Sequence, residues 1–175
     1  RILGDERNFA GTSFIRQEDF GHYQYGSSLL NVTFDPGVPG ELASYRHDDD
    51  GTPAQREYLI RDGILQRPLG GALSQWRSGL PGVANSRACS WNRPPIDRMA
   101  NLNLEPGDKT QAELIGGIER GILMSNNRSW SIDDARNKFQ FGCEWGQLIE
   151  NGELKGVVKN PNYRGISSGF WRNLK

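Results

Sequence analysis

Short runs of alternating apolar and polar positions, separated by turn-forming residues, make up most of this chain. Over Ser28–Phe34, Leu30, Val32 and Phe34 fall on one face of an extended segment, with Asn31 and Thr33 on the other. Asp35-Pro36-Gly37 ends that strand. Two segments read as hairpins. In Tyr58-Leu-Ile-Arg-Asp62-Gly63-Ile-Leu-Gln, an Asp-Gly pair suits a type I′ turn, whose two central residues need positive φ. Gln147-Leu-Ile-Glu-Asn151-Gly152-Glu-Leu-Lys has the same layout, with Leu-Ile ahead of the turn pair and Leu after it. Internal duplication and independent convergence on good hairpin chemistry both account for the likeness. Phe139, Phe141, Cys143 and Trp145 line one face of the strand entering the second hairpin, which makes Cys143 a core thiol.

One segment carries a helical period. Thr110 and Glu113 have capping-box spacing, and Leu114, Ile115, Ile118 and Ile122 form an apolar stripe. The spacing predicts a helix over about 111–120, ending at Gly121. Residues 48–53 read as an acidic loop, and residues 79–95 as a long irregular segment of the kind that often carries function. The fold class expected is α+β, mainly β: an antiparallel sheet or sandwich with hairpins and one main flanking helix, in a single domain over 1–175.

Composition narrows the classes. The 175 residues carry 21 Lys+Arg against 21 Asp+Glu, and a balanced chain without a basic block argues against a dedicated nucleic-acid binder. The five tryptophans are scattered rather than interleaved with basic residues as a stacking platform. No apolar run is long enough to span a membrane. Two cysteines, Cys89 and Cys143, do not make a disulfide framework and point to reduced thiols in a cytoplasmic protein. The chain begins at Arg1 and its only methionines are Met99 and Met124, so it reads as a piece of a longer protein. Such a piece should leave apolar surface uncovered at Ile2, Leu3 and Phe170-Trp171.

Candidate chemistry is sparse. Asp48, Asp49 and Asp50 follow His47, but consecutive carboxylates in an extended loop diverge, and the spacing of a calcium loop is missing. Cys89 lies near Arg87, which could stabilise a thiolate; neither His22 nor His47 is placed beside it by the sequence. Arg87, Arg93 and Arg98 bracket the irregular segment around Trp91, and their guanidinium forks could clamp a carboxylate or tie the loop down. Asp49, Asp50, Arg87, Arg98 and Asn101 are the candidates for facing a ligand or substrate.

Several ordered runs resemble the TldD/PmbA family: Asp49-Asp50-Gly51-Thr52-Pro53, Leu59-Ile60-Arg61-Asp62-Gly63-Ile64-Leu65 and Pro95-Ile-Asp-Arg98-Met99-Ala-Asn101. Glu105-Pro-Gly107-Asp108, Ile118-Glu-Arg-Gly121, Lys138-Phe139-Gln-Phe141 and Leu148-Ile149-Glu150-Asn151-Gly152 continue the likeness. It is dense from about Asp48 to Tyr163 and looser before that, and it covers most of the family's carboxy-terminal domain. The resemblance implies a zinc metallopeptidase of peptides or unfolded proteins. It also implies a cytoplasmic location and assembly as a homodimer or as paired TldD and PmbA subunits. The family also carries the label of a modulator of DNA gyrase. Its catalytic motif is His-Glu-x-x-x-His with a later cysteine, a donor set that leaves zinc one open position for water. No such motif occurs in this sequence, and neither Cys89 nor Cys143 matches the later cysteine. The expectation is therefore a scaffold without catalytic or metal residues of its own, with zinc ligands outside it. Its parent is then either the zinc peptidase or a non-catalytic, PmbA-like partner subunit, with this domain as a peptide-binding or assembly module.

Overall fold

The computed structural model describes Gly11 and residues 13–175. Ile2 and Leu3 lie outside the described residues. The regular structure is mainly strand with few helices, its sheets are antiparallel, and the chain forms two compact units: residues 1–105 with 168–175, and residues 106–167.

The first unit is built on a four-stranded sheet in the order β3-β2-β1-β6, comprising β1 (Val32–Phe34), β2 (Glu57–Arg61), β3 (Ile64–Leu65) and β6 (Leu102–Leu104). Strand β2 is covered on both faces, because adjacent side chains point opposite ways and each meets its own cluster. Ile60 packs with Ile15, Leu30 and Leu65, under Tyr23, Tyr25 and Trp171. Leu59 packs with Phe34 and Val83, beside Tyr45 and Leu102. A short helix, α1 (Ala72–Ser78), and a two-stranded ribbon of β4 (Ser86–Arg87) and β5 (Ile96–Asp97) complete the unit. The carboxy-terminal residues return to it. Arg172 Nε and Nη2 donate to Gln24 O at 3.0 and 2.8 Å, and the Ser27 N–H donates to Trp171 O at 2.9 Å. Trp171 is therefore half-buried rather than left uncovered, while Phe170 beside it stays exposed.

In the second unit β8 (Lys138–Glu150) is the central strand. It pairs β7 (Arg120–Ile132) on one side; on the other it pairs β9 (Glu153–Lys159) and then β10 (Asn162–Ile166). A bulge interrupts the β7–β8 register between Asn127 and Ser129, next to Asn126 at φ 55°. Beyond the bulge the cross-strand row Trp130, Phe141, Tyr163 gives one face its aromatic character, with the Phe141 and Tyr163 rings stacked 5.4 Å apart. Ser129, Ser131, Gln140, Asn162 and Arg164 make the opposite face polar. Cys143 is buried.

The helix predicted over 111–120 is shorter. It forms as α2 (Gln111–Gly116), with the capping box in place: the Glu113 N–H donates to Thr110 Oγ1 at 3.3 Å and the Thr110 N–H to Glu113 Oε2 at 2.8 Å. Gly116-Gly117 weaken further propagation, and from Arg120 the chain pairs with β8 instead. Ile122 thus belongs to a strand and not to a helical stripe. The last helix, α3 (Ser167–Arg172), spans the end of one unit and the return to the other.

Both hairpins adopt the turn their sequences predict. Asp62 and Gly63 have φ 50° and 77°, and Asn151 and Gly152 have φ 50° and 79°. Each turn is tied to the chain just ahead of the neighbouring strand. The Gly63 N–H donates to Leu30 O and the Gly152 N–H to Ile118 O, both at 2.9 Å. A Cβ on Gly63 would collide with Ser27 O, and one on Gly152 would lie 2.8 Å from Gly116 O. Gly63→Ala and Gly152→Ala should each lower stability by about 1–3 kcal/mol, from positive φ and crowding together. Urea unfolding of the two variants measures this, and values within about 0.5 kcal/mol of the parent chain would contradict it.

At the sheet's edge, Thr33 Oγ1 and Arg56 Nη2 both donate to Glu105 Oε1 at 2.8 Å. The Thr33 hydroxyl, and after it Arg56, hold the Glu105 carboxyl below its usual range. A depressed carboxyl contributes stability above its unfolded pKa of about 4.3 and loses it as pH falls through the folded value. Glu105→Gln should therefore be less stable than the parent at neutral pH, with the gap closing below about pH 4, as read by urea midpoints across pH.

Candidate functional site

The acidic loop and the β4–β5 ribbon converge in the first unit. Asp48 is only 6% exposed, and its carboxylate is used up by backbone donors. Oδ1 accepts from the Thr52 N–H at 2.9 Å and the Asp50 N–H at 3.1 Å, and Oδ2 from the Ser86 N–H at 3.1 Å. One buried carboxylate therefore closes its own turn and grips strand β4 across the fold, the arrangement that makes a buried charge tolerable. Asp49 adds a second grip: its N–H donates to Ser86 O at 3.1 Å and its Oδ2 accepts from the Ala88 N–H at 2.7 Å.

The other side of the ribbon is held by Asp97, paired with Ser86 across the two strands. Its Oδ1 accepts from the Gly71 N–H at 2.7 Å and its Oδ2 from the Ser74 hydroxyl. A Cβ on Gly71 would meet Ser86 Oγ, so the Ser86 hydroxyl would have to move to admit one. A small cleft opens between these parts, lined by Asp50, Ser74, Arg77, Ser86, Ile96 and Asp97. Beyond the clamped base, the loop between β4 and β5 carries exposed Cys89 and Arg93, and Trp91 at 95% exposure.

The five residues singled out from the sequence fall in different places. Asp50 lines the cleft, and Asp49 grips the foot of the loop. Arg87 is exposed on β4 and donates from Nη1 to Met99 O at 3.3 Å. Arg98 is exposed, with its backbone paired to Asn85: its N–H donates to Asn85 O at 3.1 Å and its carbonyl accepts from Asn85 Nδ2 at 2.8 Å. Asn101 is buried apart from the cleft, and its side-chain amide works within the protein. Oδ1 accepts from the Ala43 N–H at 2.9 Å, and Nδ2 donates to Ser44 Oγ at 3.1 Å and to Asp35 O at 3.3 Å. Neither His22 nor His47 lines the cleft. Burial, with the charges of Asp48 and Asp49 adding to it and Arg87 opposing, holds the Tyr45 phenol above its usual pKa. Its hydroxyl donates to Ala84 O at 2.8 Å, beside the ribbon.

Asp48, Asp97 and Ser74 organise the site and were not among the predicted residues. Their partners are backbone N–H groups and a hydroxyl far away in sequence, which no local pattern announces. The one local signal was Asp48 four residues before Thr52, the spacing of a carboxylate that caps its own turn.

The architecture is a β-rich domain that grips the base of an exposed loop with the carboxylates of Asp48 and Asp97, and comparison with known proteins supplies the family. Residues 3–175 match the family model described as the PmbA/TldA metallopeptidase C-terminal domain, and the chain belongs to this family. A metalloprotease of Methanocaldococcus jannaschii is 34% identical over 140 residues, covering 80% of this chain and 31% of its own length. A zinc metalloprotease TldD homolog of Saccharolobus solfataricus is 28% identical over 141 residues, covering 80% of this chain and 32% of its own. The crystal structure of TldE from Thermococcus kodakarensis superposes with a TM-score of 0.80 at 21% identity, covering 97% of this chain and 38% of that one, and it shows the shared fold. The chain thus spans about a third of the length of the curated relatives it matches.

The described residues offer no donor set that fits a zinc ion. Among the described residues no three of His, Cys, Asp and Glu converge as ligands, and the carboxylates of Asp48 and Asp97 already accept from protein donors.

Asp48→Ala removes three charge-assisted acceptor contacts from a buried position and should lower stability by about 2–4 kcal/mol. Amide exchange at Ser86 and Thr52 should accelerate in the same variant. Unchanged exchange at Ser86 would show that the carboxylate does not hold β4.

Proposed function

We propose that this chain is the scaffold portion of a zinc metallopeptidase acting on peptides or unfolded proteins, and that its zinc ligands are supplied by other parts of the parent protein. The observation that carries this reading is the family match across residues 3–175, joined to the absence of a fitting donor set among the described residues. A second feature supports the substrate class. Strand β7 stands at the end of its sheet, with a regular stretch on either side of the bulge between Asn127 and Ser129. An extended peptide is recognised there by main-chain hydrogen bonds, which require an unfolded segment rather than a particular side chain. Of the candidates read from the sequence, exposed Asp50 at the cleft and exposed Arg87 and Arg98 are the ones this reading assigns to a substrate's polar ends. Among the described residues no helix is long and apolar enough to cross a membrane. In keeping with the family resemblance, we place the parent in the cytoplasm, assembled as a homodimer or with a paired subunit.

The 175-residue chain alone should bind no stoichiometric zinc and cleave no peptide. The full-length parent should cleave unstructured peptides, lose that activity to a chelator and regain it with zinc. Turnover by the isolated chain would overturn the scaffold reading. A parent that fails to cleave with zinc present would favour the partner-subunit role. Slower amide exchange along Arg120–Ile132 on adding an unstructured peptide tests the strand edge.

A further inference from the structure

Asn151-Gly152 is the single Asn-Gly step in the sequence, and it sits at the tip of the β8–β9 hairpin with Asn151 exposed. This dipeptide is chemically labile because glycine leaves its backbone nitrogen unhindered. After that nitrogen loses its proton to solvent, it can attack the asparagine Cγ. The N–Cγ bond forms, the side-chain nitrogen leaves as ammonia, and a five-membered cyclic imide results. Solvent water then adds to either imide carbonyl and the ring C–N bond breaks, giving aspartate or isoaspartate. No oxidant, reductant or enzyme is needed.

The folded turn obstructs each requirement of that reaction. The Gly152 N–H is donated to Ile118 O at 2.9 Å, so the nucleophile is engaged and its proton shielded. The Asn151 N–H is donated to Glu119 O at 2.7 Å, and its φ of 50° belongs to the turn and not to a free chain. Gly116 O closes the space beside Gly152, at 2.8 Å from where a Cβ would lie, which limits the swing of the peptide plane towards Cγ. Release of the turn from residues 118–119 removes all three obstacles together.

We propose that Asn151 is a site of spontaneous deamidation whose rate is set by opening of the β8–β9 turn. The isoaspartate product makes the opening irreversible, whereas the aspartate product leaves an Asp-Gly pair like that at Asp62-Gly63. Isoaspartate inserts a carbon into the main chain of a two-residue loop, which is incompatible with the pairing of Glu150 with Glu153 and Ile149 with Leu154. Ile149 is buried, so the lost register reaches the packed interior of the second unit. A transient fluctuation is thereby converted into a permanent mark on the molecule.

The test incubates the whole 175-residue chain at mildly alkaline pH, folded and in denaturing urea, and follows the mass gain of the proteolytic peptide containing residue 151. The folded chain should deamidate at least about tenfold more slowly, as expected for a site that reacts only when opened. Its rate should rise through sub-denaturing urea in step with amide exchange at Gly152. In denaturing urea Gly152→Ala should slow the reaction, because the methyl group hinders the attacking nitrogen. Equal rates in the folded and unfolded chains, or a folded rate that ignores sub-denaturing urea, would overturn the proposal. So would the absence of reaction at residue 151 in the unfolded chain.

Discussion

In each unit the N–H groups of the turn pair, the glycine's among them, tie a hairpin to the chain ahead of its neighbouring strand. Gly63 donates to Leu30 O and Gly152 to Ile118 O, and in both cases the acceptor lies on the chain just ahead of the strand that the hairpin joins. A three-stranded antiparallel meander has two soft variables, the hairpin's register and its position against the third strand. The type I′ turn settles the first, pairing Ile60 with Leu65 and Ile149 with Leu154. The turn-pair contacts settle the second. Once both are set, alternation carries Ile60 and Ile149 into buried positions without further instruction. The rest of each sheet is an extension of that seed.

The candidate site rests on a different device. Asp48 and Asp97 are charged groups with their capacity spent on backbone N–H groups and a hydroxyl. They act as clamps from opposite sides of one short ribbon. Two-residue strands hold little by themselves, so the loop from Ala88 to Pro95 keeps its footing because carboxylates grip its base. Within the acidic run it is Asp48 whose oxygens turn inward to backbone donors, while Asp50 beside it stays exposed at the cleft.

Local chemistry was legible from residues alone. The Asp-Gly and Asn-Gly turns, the capping box at Thr110 and Glu113, the strand at Leu30 to Phe34 and the burial of Cys143 each depend on neighbours a few positions apart. What depended on distant partners was not. The helix expected to reach residue 120 stops at Gly116, because β8 offers the following residues a thirteen-residue pairing partner. Helix α1 lacked a signal: Leu73 and Trp76 are exposed, so no apolar stripe marks it. Asn101 looked like a ligand-facing residue beside Arg98, yet its amide is bonded to Ala43, Ser44 and Asp35, more than fifty residues away in the sequence. The two hairpins share turn angles and the same tie to the preceding chain, a likeness that duplication and convergence both still explain.

The bulge beside Asn126 has a consequence for solubility. Long, flat, unpaired strand edges template the stacking of identical chains, and β7 has the length for it. The left-handed residue at position 126 and the register break before Ser129 interrupt the ladder near its middle and add local twist. Only the stretches on either side remain regular. A short guest can use one of them, whereas a copy of the whole strand cannot lie flat along both. The irregularity therefore separates two kinds of pairing that a perfect edge would permit equally, and it leaves open the one that ends with a single molecule.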